Sequence, residues 1–197
     1  DVLCDGESIV DVGPNLAVPA GADVIDAGGK YVFPGFIDPH VHVYLPFMGT
    51  FAKDSWASAS RAALLGGTTT LVEMICPARA DDPVSGCDLW RSKARESVCD
   101  YSFHMGVTRF DERTPAALKQ IVDSGITSLK VFLAYKGALG IDDHELFDTL
   151  RLARELGVVV AAHCENQELV ALLQKQLLAA GKTGPEWHEP SRPAYVE

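Results

Sequence analysis

The sequence predicts an α/β protein built on a parallel sheet, either doubly wound or part of a (β/α)8 barrel, and three observations carry that expectation. From Tyr31 onward, apolar runs of strand length alternate with helical patterns, five times in series. The runs are apolar on both faces, as parallel strands covered by helices are. They also lack the Gly-x-Gly-x-x-Gly turn that a dinucleotide-binding sheet places after its first strand.

In chain order, residues 1–31 stand apart. Val10-Asp11-Val12-Gly13-Pro14 and Asp23-Val24-Ile25-Asp26-Ala27-Gly28-Gly29-Lys30 read as short strands broken by Gly/Pro turns. Two or three such strands do not make a stable sheet alone and call for partners from elsewhere. Strands are then expected at 32–38, 69–76, 101–108, 127–134 and 158–163. Helices are expected near 54–66, 87–97, 114–124, 142–156 and 166–180. The fourth helix is the clearest, with Leu146, Leu150, Leu152, Ala153 and Leu156 near helical spacing, Asp142 or Asp143 as cap and Gly157 as stop. A complete (β/α)8 barrel takes about 250 residues. With 197 residues the chain is too short to close one, and it reads as cut off after Ser191-Arg192-Pro193-Ala194-Tyr195-Val196-Glu197.

Composition narrows the function classes. An apolar fraction of 47% with 22% charged residues is that of a soluble globular protein. The net charge of −10 argues against a nucleic-acid partner, which needs clustered Lys and Arg. No apolar run approaches the roughly 18 residues of a membrane span, and DVLCDGESIV does not resemble a signal peptide. Five scattered cysteines without a Cys-x-x-Cys pair point to reduced thiols in a cytoplasmic protein, with Cys164 read as a small core residue rather than a nucleophile.

The chemistry begins at Asp38-Pro39-His40-Val41-His42, at the end of the first apolar strand. The side-chain period of an extended chain is two, so both imidazoles point to one face and can hold one divalent metal. Alone, the pair is only moderately specific, the plain alternative being two polar strand-end histidines. Lys130 lies inside the apolar run Thr127-Ser128-Leu129-Lys130-Val131-Phe132-Leu133-Ala134-Tyr135. Desolvation lowers the pKa of such an amine, and a neutral amine adds carbon dioxide to give a carbamate able to bridge two metal ions. The plain alternative is a lysine that snorkels or pairs with a carboxylate. His163 closes a third apolar strand, Val158-Val159-Val160-Ala161-Ala162-His163. In a barrel all strand ends meet at one face, so His40, His42, Lys130 and His163 would converge.

Tyr135, just past the strand of Lys130, could donate a hydrogen bond to an oxyanion. His104 sits mid-strand and reads as a satisfied core or interface residue. His144 falls at a helix start and His188 in a Pro-rich segment, so neither is a strong ligand candidate. Glu73 is expected to face a helix or to support the site from behind.

Several motifs then stand together: Pro34-Gly35-Phe36-Ile37-Asp38-Pro39-His40-Val41-His42, Leu45-Pro46-Phe47-Met48-Gly49-Thr50, Gly66-Gly67-Thr68-Thr69-Thr70, residues 130–136, and Ala162-His163-Cys164-Glu165-Asn166. With these the chain resembles the dihydropyrimidinase/hydantoinase family of cyclic amidohydrolases over nearly its whole length, including 184–193. The resemblance implies a (β/α)8 barrel beside a small β-sandwich, with 1–31 part of the sandwich and 32–197 the incomplete N-terminal part of the catalytic barrel. It implies two divalent ions, zinc in type, with His40 and His42 on the more buried one, carboxylated Lys130 bridging, and His163 on the second. A further histidine on the sixth strand and an aspartate on the eighth have no counterpart here, so the fragment alone is expected to be inactive. The implied reaction is attack of a hydroxide bridging the ions on a ring amide carbonyl, with Tyr135 stabilising the oxyanion. The resemblance also implies a homotetramer.

Relatives such as dihydroorotase place an arginine shortly after the His-x-His to grip a substrate carboxylate. The stretch Val43-Tyr44-Leu45-Pro46-Phe47-Met48-Gly49 has no basic residue. A neutral small-molecule ring is therefore expected, a dihydropyrimidine or a 5-substituted hydantoin, with Leu45 and Phe47 as walls or, equally, as barrel-top packing. Two other readings stay open: a non-catalytic scaffold relative, which should have lost ligands, and an allantoinase-like hydrolase.

Overall fold

The computed structural model describes residues 1–47 and 49–197; Met48, one residue of the 45–50 motif, lies outside the described residues. The chain divides into two compact units, Asp1–Pro34 and Gly35–Glu197.

The first unit holds one antiparallel hairpin, β1 (Val2–Asp5) and β2 (Ser8–Val12), turning at Gly6 with φ 57°. Its open end is tied by the Gly13 N–H, which donates to the Asp1 carbonyl at 3.2 Å. Ile9, Val10 and Val12 are exposed, so the hairpin buries no face of its own. The strand expected at 23–30 does not form. Asp26 Oδ1 accepts the Gly28 N–H at 2.8 Å, and the Lys30 N–H reaches back to the Ala27 carbonyl at 2.9 Å. These local bonds use the segment's polar groups in a turn, and Val24 and Ile25 stay exposed.

The second unit is a five-stranded sheet in the order β3 (Phe36–Val41), β6 (Thr68–Ile75), β7 (Asp100–Gly106), β8 (Ser128–Phe132), β9 (Val159–His163), all parallel. Between β3 and β6 come a two-residue-strand hairpin, β4 (Pro46–Phe47) and β5 (Thr50–Phe51), and α1 (Trp56–Leu65). The later connections are α2 (Pro83–Ala94), α3 (Thr114–Asp123) and α4 (Asp143–Leu156), and α5 (Gln167–Ala179) follows β9. Each strand pairs with its successor, with no reversal of order. A doubly wound sheet reverses at a switch point, so the sheet is the arc of a barrel.

Local chemistry explains the boundaries. α2 starts four residues before its expected position because Asp82 caps Ser85 N–H and Pro83 occupies the first turn, where its missing N–H costs nothing. Asp142 and Glu145 form a reciprocal capping box at α4, which ends at Gly157 in the left-handed conformation, φ 70°. The first barrel strand runs from Phe36 to Val41 rather than 32–38. Met74, Ile75, Met105, Leu129 and Val131 on the central strands are fully buried, whereas Phe36, Ile37 and Val159 on the outer strands are exposed. Trp56, Trp90, Leu118 and Ile121 bring the helices onto the sheet. No helix among the described residues is long and apolar enough to cross a membrane.

Candidate active site

The site grows from the C-terminal ends of β3, β8 and β9. Pro39 has no N–H to give the ladder, and the register of β3 against β6 shifts between Asp38 and Val41. Asp38 Oδ1 takes up the His40 N–H instead, at 3.1 Å. His40 and His42 emerge with ring centroids 5.3 Å apart, edge to face, both exposed. Partial desolvation first, with the nearby Lys130 amine acting in the same direction, holds both imidazoles below their ordinary pKa. Near neutral pH both are therefore neutral, the form that binds a metal.

Lys130 is 3% exposed. In register it stands between Gly106 on β7 and Ala161 on β9. Among the described residues no carboxylate lies within ion-pair distance of its amine, whose one charge-type contact is the Phe132 ring at 5.1 Å. Burial pushes the amine down, and the neighbouring Cys76 thiol, itself pushed up to about 12 by burial, supplies no thiolate partner. Phe132 is in register with His163, so Lys130, Phe132, Ala161 and His163 share one face of the sheet.

His163 is held on two sides. Its Nε2 lies 2.7 Å from Glu165 Oε2, and Arg192 Nη1 donates to both oxygens of that carboxylate at 2.9 and 2.7 Å. Burial works to raise the Glu165 pKa, but the Arg192 and His163 contacts outweigh it and the group lies below its ordinary value. The Tyr135 ring lies 5.4 Å from the imidazole and the Phe132 ring 5.9 Å.

Tyr135 has φ 61°, a left-handed conformation costly for an aromatic residue. It is over-determined: the Tyr135 N–H donates to Gln167 Oε1 at 2.7 Å, and its carbonyl accepts from Ala138, Leu139 and Gly140 at 3.0–3.1 Å. Gly140 must be glycine, because a Cβ there would meet Ala134 O at 2.3 Å. Arg79 holds the same loop, donating to the Thr108 and Gly140 carbonyls and pairing with Glu145.

The remaining candidates divide. Phe47 packs edge to face on Tyr135, centroids 5.1 Å apart, and so lines the site. Leu45 is half-buried against the core. His104 is satisfied at both ring nitrogens, by Ser128 Oγ at 2.5 Å and the Pro39 carbonyl at 2.8 Å, and so braces the turn that carries His40. Glu73 points to the helix side, fully buried, accepting from the Tyr44 N–H and lying close to Trp56. Glu165, Arg192 and Gln167 were not expected from the sequence. Glu165 and Gln167 fall within or beside a conspicuous motif, but only the fold brings Arg192 to them.

The amidohydrolase family model matches residues 31–188. The chain belongs to the amidohydrolase family. This amidohydrolase is 41% identical to a dihydropyrimidinase of Arabidopsis thaliana and 40% identical to a D-hydantoinase of Geobacillus stearothermophilus, with all of the chain aligned in each case. It superposes on the D-hydantoinase (dihydropyrimidinase) of Thermus sp. with a TM-score of 0.93 and 62% identity over 99% of the chain. The chain spans 37% and 42% of the two sequence relatives and 43% of the Thermus chain.

Among the described residues, no three His, Cys, Asp or Glu side chains group closely enough to hold a metal ion by themselves. The donors at hand are a pair of neutral imidazoles, a third imidazole on a separate strand, and a buried amine without a counter-charge. That set fits a divalent metal centre once the amine carries a carboxylate, and it fits poorly otherwise.

Proposed function

We propose that this amidohydrolase contributes four metal-holding side chains to the site of a metal-dependent enzyme that hydrolyses the amide C–N bond of a neutral ring, a 5-substituted hydantoin or a dihydropyrimidine. The observation that carries the reading is Lys130: a buried amine with no carboxylate partner, flanked by glycine and alanine, on the face of the sheet that His163 shares. Two divalent ions, zinc in type, would be held by His40, His42, His163 and Lys130 after its reaction with carbon dioxide. When bound, such ions acidify water and polarise a carbonyl.

The chain's own side chains do the rest. Tyr135 donates its hydroxyl proton in a hydrogen bond to the ring carbonyl oxygen as negative charge builds there. Phe47, packed on Tyr135, and Leu45, packed against the core, form an apolar wall against the exocyclic group. No arginine or lysine occurs between Val43 and Gly49, which supports a ring without a carboxylate. A cytoplasmic homotetramer belongs to the same reading and is checked by light scattering.

The test is a ring-opening assay of the full-length protein on dihydrouracil and hydantoin, with metal counted per subunit. About two ions and turnover of at least one ring are expected. Fewer than about one ion with turnover of neither ring would overturn the reading. A Lys130→Ala variant should lose bound metal; a full complement in that variant would remove Lys130 from the site.

A further inference from the structure

Glu165 lies two residues beyond His163, in the loop that leads from β9 to α5, and its side chain turns back toward the imidazole. Arg192 reaches the same carboxylate from the short helical segment that follows α5, 27 residues away. The next short helix, Ala194–Val196, is pinned to the β9 loop by the Asn166 N–H, which donates to the Val196 carbonyl at 2.7 Å. Glu165 and Arg192 are largely buried, with side chains 12% and 20% exposed. A carboxylate engaged by a guanidinium through both oxygens has only lone pairs to offer. The hydrogen shared with His163 therefore sits on Nε2, and the free lone pair is on Nδ1. The rings of Tyr135 and Phe132 flank the imidazole and limit its rotation.

We propose that Glu165, clamped by Arg192, is a positioning residue that fixes His163 as its Nε2–H tautomer and presents Nδ1 to the metal site. The choice of Nδ1 as the metal-binding atom rests on the two-ion reading above. The hold on the tautomer stands independently of it. A plain Arg192–Glu165 tie between two loops would stabilise the fold and leave the histidine's tautomer free.

Two readouts test this in the full-length protein. In the metal-free state at pH 8, with 15N-labelled histidine, two-bond 1H–15N correlations should place wild-type His163 wholly in the Nε2–H form. Glu165→Gln should convert it to a tautomer mixture. In zinc titrations against a competing chelator, Glu165→Gln should weaken uptake of the second ion by about 10–100-fold and leave the first unchanged. Arg192→Lys keeps the charge on a shorter side chain that reaches the carboxylate less well, so it should shift both readouts in the same direction by less, and it serves if Glu165→Gln does not fold. An Nδ1–H tautomer in wild type, or variants that fold with unaltered tautomer and zinc affinity, would overturn the proposal. Fewer than two ions on wild type would overturn the two-ion reading instead, and the tautomer measurement then decides the role of Glu165.

Discussion

The rings of Tyr135 and His163 lie 5.4 Å apart with an interplanar angle of 33°. A phenol from the loop after β8 is thereby set against an imidazole at the end of β9, and the two hold each other's orientation. Tyr135 reaches that position only through a left-handed backbone bend, whose strain is offset by four hydrogen bonds to its own N–H and carbonyl.

Tyr135→Phe keeps the ring contacts with His163, Phe47 and Phe132 and removes only the hydroxyl. If that hydroxyl meets the developing oxyanion, kcat on the better ring substrate should fall by about 10²–10³ while KM changes by a few-fold. Steady-state kinetics of the full-length variant give the answer, and an unchanged kcat would assign Tyr135 a packing role.

Gly140→Ala should be costly away from any ligand. The added methyl would meet Ala134 O at 2.3 Å and Lys136 N at 2.8 Å, both backbone atoms that cannot swing aside. A loss of about 1–3 kcal/mol is expected from thermal or urea melting, together with lower turnover because the same loop carries Tyr135.

Glu73 provides a pH test. Burial raises its carboxyl from 4.5 to about 7, against the backbone hydrogen bonds from Tyr44 and Val43. The folded state therefore holds a proton that the unfolded state releases near 4.5. The stability this contributes is fully present below about pH 4.5 and is lost as pH rises to about 7, in total no more than about 3 kcal/mol. Glu73→Gln should remove that slope. Urea melts of both proteins between pH 5 and 8 would show it, and parallel pH profiles would contradict the assignment.

Lys130→Met separates stability from metal binding. Because no ion pair among the described residues holds the Lys130 amine, replacing it with an apolar side chain of similar length should leave the metal-free protein as stable or more so. Metal uptake should be lost in the same variant. A marked fall in the metal-free melting temperature would mean that the amine has a structural partner.

The sequence makes the barrel arc legible because buried parallel strands are written as continuous apolar runs, and Asp142, Gly157 and their spacing mark α4 almost to the residue. It does not decide between the two parallel architectures, since strand order is a tertiary fact; the unbroken sequence of neighbours in the sheet decides it. The 23–30 segment misleads because a short β-branched run bounded by turn residues says nothing about whether a partner strand is there, and Asp26 and Gly28 close a turn first. His40, His42, Lys130 and His163 stand out because ligand-type residues at the ends of apolar strands are conspicuous. Arg192, Gln167 and His104 do not, because their roles are defined by atoms 27, 32 and 65 positions away.

Lys130 stands in a row of low walls. Its register neighbours on both sides, Gly106 and Ala161, are the two smallest residues available to a sheet, and Gly106 cannot grow because a Cβ there would meet Ile75 O at 2.3 Å. No bulky side chain therefore stands beside the lysine in the sheet on either side, which suits the carboxylate proposed for it. If Lys130 is carboxylated as proposed, residues with no donor atoms at all would govern it: a branched side chain at 161 would crowd the added group while leaving every proposed ligand in place.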